Sequence, residues 1–213
     1  MNKTIENTVQ RTRQYWYIDG FTEILTGVVF LLLGGINCIS LFYAPSVGSA
    51  VLVGVGYPLV ILGGMFGGRV WVRSMKEKIT FPRTGLVEYI KPERGPRVKR
   101  AVTAMFVAFA VSILTMIISR GLEPFWIVLG TGLLIAIFTA YLAFQIPLNR
   151  FYFLAGWVVA VSYVSARLSI SEDMQMAVLL AGTGFGFLAG GIWALAHYLQ
   201  QTRLITPESE REE

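Results

Sequence analysis

Residues 24–68 read ILTGVVFLLLGGINCISLFYAPSVGSAVLVGVGYPLVILGGMFGG, without one Asp, Glu, Lys or Arg. A helix crosses roughly 30 Å of hydrocarbon with about 20 residues, so the stretch is too long for one crossing. It is broken near its middle by Tyr43-Ala44-Pro45-Ser46-Val47-Gly48-Ser49. Pro and Gly among serines mark a tight turn, which predicts helices over 21–43 and 49–70. Further charge-free stretches lie at 101–119, 124–149, 151–166 and 174–202.

These stretches predict an all-α, polytopic membrane bundle of six transmembrane helices, the last four at 101–119, 124–145, 151–168 and 174–199. Pro124 suits the first turn of its helix, where the missing N–H costs nothing. The fifth helix is the shortest and ends on Arg167, which can snorkel to the headgroups. The chain divides into a polar N-terminal segment 1–20, a transmembrane hairpin 21–70, a basic loop 71–100, helices three to six over 101–199, and an acidic tail 200–213. The N-terminal segment lacks the apolar core of a signal peptide. Its Tyr15, Trp16 and Tyr17 suit an interfacial aromatic belt.

Composition agrees. Of 213 residues 54% are apolar and 15% charged, against about one quarter charged in soluble domains, and the mean hydropathy is +0.60. With the N-terminus inside, all but Arg120 and Arg167 of the 18 Lys and Arg residues fall on the cytoplasmic side. The positive-inside rule therefore places both termini in the cytoplasm of a cell with an inner membrane. The same asymmetry explains the net charge of +5: the excess is largely one loop beside the membrane. Neither an aromatic-interleaved basic platform nor zinc-finger spacing is present, so nucleic acid is not an expected partner.

Residues 72–100 form the one sizeable soluble segment, and Val72 to Lys78 are expected to extend helix two into the cytoplasm. Ile79-Thr80-Phe81 and Leu86-Val87-Glu88-Tyr89-Ile90 have strand composition around Pro82-Arg83-Thr84-Gly85, a sequence suited to a turn. A short β-hairpin under the bilayer is expected. Arg83, Lys91, Arg94, Arg97, Lys99 and Arg100 form a cluster for anionic headgroups or for a cytosolic protein partner docking on the hairpin edge.

Two motifs carry a resemblance. The segment Ile79-Thr80-Phe81-Pro82-Arg83-Thr84-Gly85-Leu86-Val87 and the start Asp19-Gly20-Phe21-Thr22-Glu23 resemble those of a group of uncharacterised bacterial and archaeal multi-pass integral membrane proteins. Leu86 stands where an aromatic is more usual. The resemblance implies a multi-pass membrane protein and supplies no activity.

Polar groups at membrane depth are few, and such groups are functional candidates because they are costly there. Asp19 and Glu23, four apart, share one side of a helix. They suit either a cation or proton site or a pair of carboxylates held by Arg69 or Arg73. Gly54, Gly56 and Pro58 suggest a broken second helix that lines a solute or ion site. Gly63/Gly67 and Gly64/Gly68, with Gly182, Gly186 and Gly190, are small-residue faces for close helix packing or a homo-oligomer seam. His197 reads as an interface histidine, and Cys38 has no cysteine to pair with.

The motifs Gly-x-Ser-x-Gly, His-Glu-x-x-His and Gly-x-x-x-x-Gly-Lys-Ser/Thr are all absent. No cofactor, metal or enzymatic activity is expected. The leading expectation is a regulatory or assembly component whose basic loop contacts lipid or a cytosolic partner. The alternative is a small transporter or ligand-binding protein with its site at helix two.

Overall fold

The structure, a computed structural model, describes residues 17–43, 46–80, 121, 123–146 and 148–202. Five α-helices run through them: α1 (Phe21–Phe42), α2 (Val47–Met75), α3 (Pro124–Gln145), α4 (Arg150–Arg167) and α5 (Glu172–Gln201). Helix α2 continues directly into a π-helical turn, Lys76–Thr80.

Four helices are long and apolar enough to cross a membrane: α1, α2 with its π turn, α3 and α5. Apolar stretches of this length adopt helix because lipid offers no partner to a backbone N–H or C=O. Six crossings are therefore corrected to four candidate spans. The expected third span, 101–119, lies outside the described residues. The expected fifth is present as α4, an 18-residue helix that begins on Arg150 and ends on Arg167. Its 18 residues reach spanning length, but an arginine at each end and Tyr152, Ser162, Tyr163 and Ser165 between them leave it less apolar than the other four helices.

The β-hairpin is corrected too. Among the described residues there is no strand, and Ile79 and Thr80, expected to open one, belong to the π turn. The remainder of that segment, 81–100, lies outside the described residues, as do 1–16 and 203–213.

Helix α2 with its turn comprises 34 residues, or roughly 51 Å. It runs past the expected span 49–70 through the expected extension at Val72 to Lys78, since Arg69, Arg73 and Lys76 do not end it. Its buried positions are Gly68, Val72, Lys76 and Thr80, one every four residues. An α-helix drifts off a strict spacing of four, and the wider π turn brings Thr80 back onto the same stripe. The helix stays continuous through Pro58, so the expected break in helix two is absent.

The tightest seam joins α1 to the antiparallel α5. Gly20, Gly27 and Gly34, seven apart, meet Gly191, Gly184 and the Ala177–Ala181 turn. A Cβ on Gly27 would stand 2.6 Å from the Leu188 backbone nitrogen, and one on Gly184 2.7 Å from that of Leu31. Backbone thus lies on backbone, the arrangement that drives helix association in lipid.

The expected packing glycines behave differently. Gly182, Gly186 and Gly190 receive the side chains of Val161, Trp157 and Leu154 from α4. Gly64 and Gly68 receive Val29 and Leu25 from α1, whereas Gly63 and Gly67 face open space. The core beneath α4 consists of Ala136, Ala143, Phe151, Leu154, Val158 and Phe187.

Candidate functional site

The ends of α2 and α3 and the starts of α1 and α4 meet at one end of the bundle. Here the chain enters α1 through Gly20, whose φ of +75° is left-handed. That conformation suits glycine, and a Cβ would also strike the Gly191 carbonyl oxygen. It turns Asp19 off the helical track, so Asp19 and Glu23 do not share one set of partners despite their spacing.

Asp19 points to α2. Its Oδ2 accepts from Lys76 Nζ at 2.5 Å and from Thr80 Oγ1 at 3.1 Å. The side chains of Asp19 and Lys76 are 0% and 1% exposed. Two buried charges of this kind are held because each offsets the other's lost hydration. Glu23 points to α4: Arg150 Nε lies 2.8 Å from its Oε1. The rest of that guanidinium donates to the carbonyls of Ile18, at 3.3 Å, and Tyr17. One arginine therefore ties α4 both to the Glu23 carboxylate and to the turn before α1.

These partners correct the expectation that Arg69 or Arg73 would hold the carboxylates. Arg69 and Arg73 sit one residue round from the buried stripe of α2 and are exposed. Arg73 pairs instead with Glu77, at 2.8 Å on the surface. Lys76 and Arg150 carry no sequence motif, and Thr80 lies in the Ile79–Val87 segment without being singled out there. Their signal is position: Lys76 and Thr80 continue the four-residue stripe of α2, and Arg150 is a lone cation opening an apolar stretch. Asp19, from the stretch that opens α1, and Thr80, 61 positions later, meet here.

Glu23 also forms the wall of a cavity of about 150 Å³ between α1, α3, α4 and α5. Its polar lining includes Tyr17, Thr22, Glu23, Thr26 and Thr139, and Phe30, Phe151 and Phe187 supply much of the apolar remainder. The Thr26 hydroxyl donates to the Thr22 carbonyl and the Thr139 hydroxyl to that of Ile135, each at 2.8 Å. Among the described residues Glu23 Oε2 and Thr22 Oγ1 have no hydrogen-bond partner, though both are cut off from solvent. Buried polar atoms without a partner are uncommon and costly, so these two mark the place where a ligand or water would contribute most.

The other expected site residues are not brought here. Gly54 and Pro58 are exposed on α2, and Gly56 packs on Ile36. Pro58 stands 18 positions before Lys76, roughly 27 Å along the helix. Close to it, Asn37 of α1 donates to the Tyr57 hydroxyl, an interhelical bond of the kind that joins membrane helices. His197 stacks on Trp193 and hydrogen-bonds Gln201 at 2.8 Å. The basic cluster Arg83, Lys91, Arg94, Arg97, Lys99 and Arg100 lies outside the described residues. Among the described residues no three of His, Cys, Asp and Glu gather as they would around a metal.

No protein-family model matches this chain, nor does any curated protein or solved structure.

Proposed function

We propose that the chain is a non-enzymatic, multi-pass protein of a prokaryotic cytoplasmic membrane that binds a small polar solute in the Glu23 cavity. In this reading its ion-paired end faces the cytoplasm, which the positive-inside distribution of Lys and Arg supports. The observation that carries the reading is the Glu23 carboxylate itself. It is 1% exposed, has one oxygen without a hydrogen-bond partner among the described residues, and lines a cavity with three threonines. Transport or sensing would both use such a site. This places the solute at the ion-paired end of the bundle and not at Pro58.

Cysteine accessibility tests it. In a Cys38→Ser background, Thr139→Cys should react with a small water-soluble thiol reagent in proteoliposomes, and Glu23→Gln should alter the rate. A Thr139→Cys protein inert to reagent on both sides of the bilayer contradicts the reading.

A second reading has its own observation. The bond from Thr80 to Asp19 fixes the point where the basic segment leaves α2. Each cation of Arg83 to Arg100 that meets the headgroups contributes about 1 kcal/mol with anionic lipid. Lipid contact by this segment is compatible with a solute site above it.

A further inference from the structure

The donor and acceptor inventory of the Glu23 cavity is lopsided. Thr26 and Thr139 spend their protons on backbone carbonyls, so each can offer a ligand only oxygen lone pairs. Glu23 Oε2 is an acceptor while the carboxylate is ionised. The Tyr17 and Thr22 hydroxyls can act either way. Arg150 is not among the described residues that line the cavity, and its N–H groups face Glu23 Oε1 and two carbonyls. No lining side chain among the described residues is a cation. Of the apolar lining residues Phe30, Phe138, Phe151 and Phe187 are aromatic and Ile135 and Leu142 aliphatic; rings attract positive charge through their quadrupole, and Arg150 already lies 5.7 Å from the centre of the Phe151 ring.

A hard metal ion suits this surroundings poorly, since it collects six or more oxygens at short range and would leave the phenylalanine rings unused. An anion would meet the carboxylate. A small organic cation meets both features, its charge against Glu23 and the threonine oxygens and its carbon against the rings.

We infer that the Glu23 cavity binds a small organic ammonium ion. This deepens the proposal of a solute site there and rests on it.

Titration calorimetry on the full chain in mild detergent, with methylammonium, tetramethylammonium, sodium, acetate and glycerol as separate probes, tests the inference. Saturable binding of at least one ammonium ion is expected. Glu23→Gln should weaken it at least about tenfold, the value of one charge-assisted hydrogen bond. Thr139→Val keeps the side-chain shape and should weaken it severalfold, so the test survives if Glu23→Gln fails to fold. Binding of acetate, glycerol or sodium with both ammonium ions silent overturns the ammonium assignment and leaves a solute site standing. Ammonium binding that neither variant alters places the ion elsewhere and also overturns it. Silence of all five probes removes the ammonium assignment and the solute site together.

Discussion

Asp19 and Lys76 stand 57 positions apart in sequence, yet Lys76 Nζ donates to Asp19 Oδ2 at 2.5 Å with both side chains closed to solvent. This pair joins the start of α1 to the end of α2. Beside it, Arg150 joins α1 to α4. Three helices are thus tied at one end of the bundle by two carboxylates that lie four residues apart.

Removing one partner of the buried pair leaves the other charge uncompensated. Asp19→Asn or Lys76→Met should each destabilise the protein by about 3–5 kcal/mol. The double substitution should recover a large part of that loss. Thermal unfolding of the four proteins in one detergent gives the cycle, and additive losses would show that the two side chains do not act as a pair.

The glycines of α1 and α5 should differ sharply from those of α2. Gly27→Val and Gly184→Val push a side chain into backbone and should cost at least about 1–3 kcal/mol. Gly63→Ala and Gly67→Ala enter open space and should change stability by no more than about 0.5 kcal/mol. Detergent unfolding of each variant ranks them, and equal costs would contradict the seam.

Much of the helical layout is legible in the sequence, because a charge-free stretch of this length has few other structures open to it in lipid. The bounds of α1, α3, α4 and α5 come within two residues of expectation. The end of α2 is legible in part: Val72 to Lys78 read as an extension of the helix, whereas the pairing of Lys76 with Asp19 and the π turn that carries Thr80 leave no mark in the sequence. The seam glycines are missed for a related reason. Spacing of four marks small faces on Gly182, Gly186 and Gly190, but whether a face meets backbone or a bulky side chain depends on the neighbour. Here Trp157 and Val161 fill that face. Asp19 and Glu23 are found from spacing alone, while Lys76, Thr80 and Arg150 appear only once the helices are set side by side.

Pro58→Ala separates the Glu23 cavity from helix two as the solute site. Because α2 runs unbroken through Pro58, the substitution should leave both the labelling rate of Thr139→Cys and ammonium binding unchanged. It should leave stability equal or higher, since proline lacks one helical hydrogen bond. Loss of binding in Pro58→Ala would return the site to helix two.

The basic segment should govern lipid selectivity without affecting the cavity. Neutralising Arg83, Lys91, Arg94, Arg97, Lys99 and Arg100 together should remove several kcal/mol of anionic-lipid preference, at about 1 kcal/mol each. Native mass spectrometry from mixed anionic and zwitterionic nanodiscs reads this as fewer anionic lipids retained. Unchanged retention would show that this segment does not contact them.

A solute site reached from the cytoplasm requires the bundle to cross the bilayer with its ion-paired end inside. Ile18, beside that end, and Ile170, in the α4–α5 turn at the other, are both partly exposed. Single cysteines at these two positions in a Cys38→Ser background, probed in sealed right-side-out vesicles with a membrane-impermeant reagent, test it directly. Ile170→Cys should react at once and Ile18→Cys only after lysis. Labelling of both before lysis, or of Ile18→Cys alone, would contradict the architecture described.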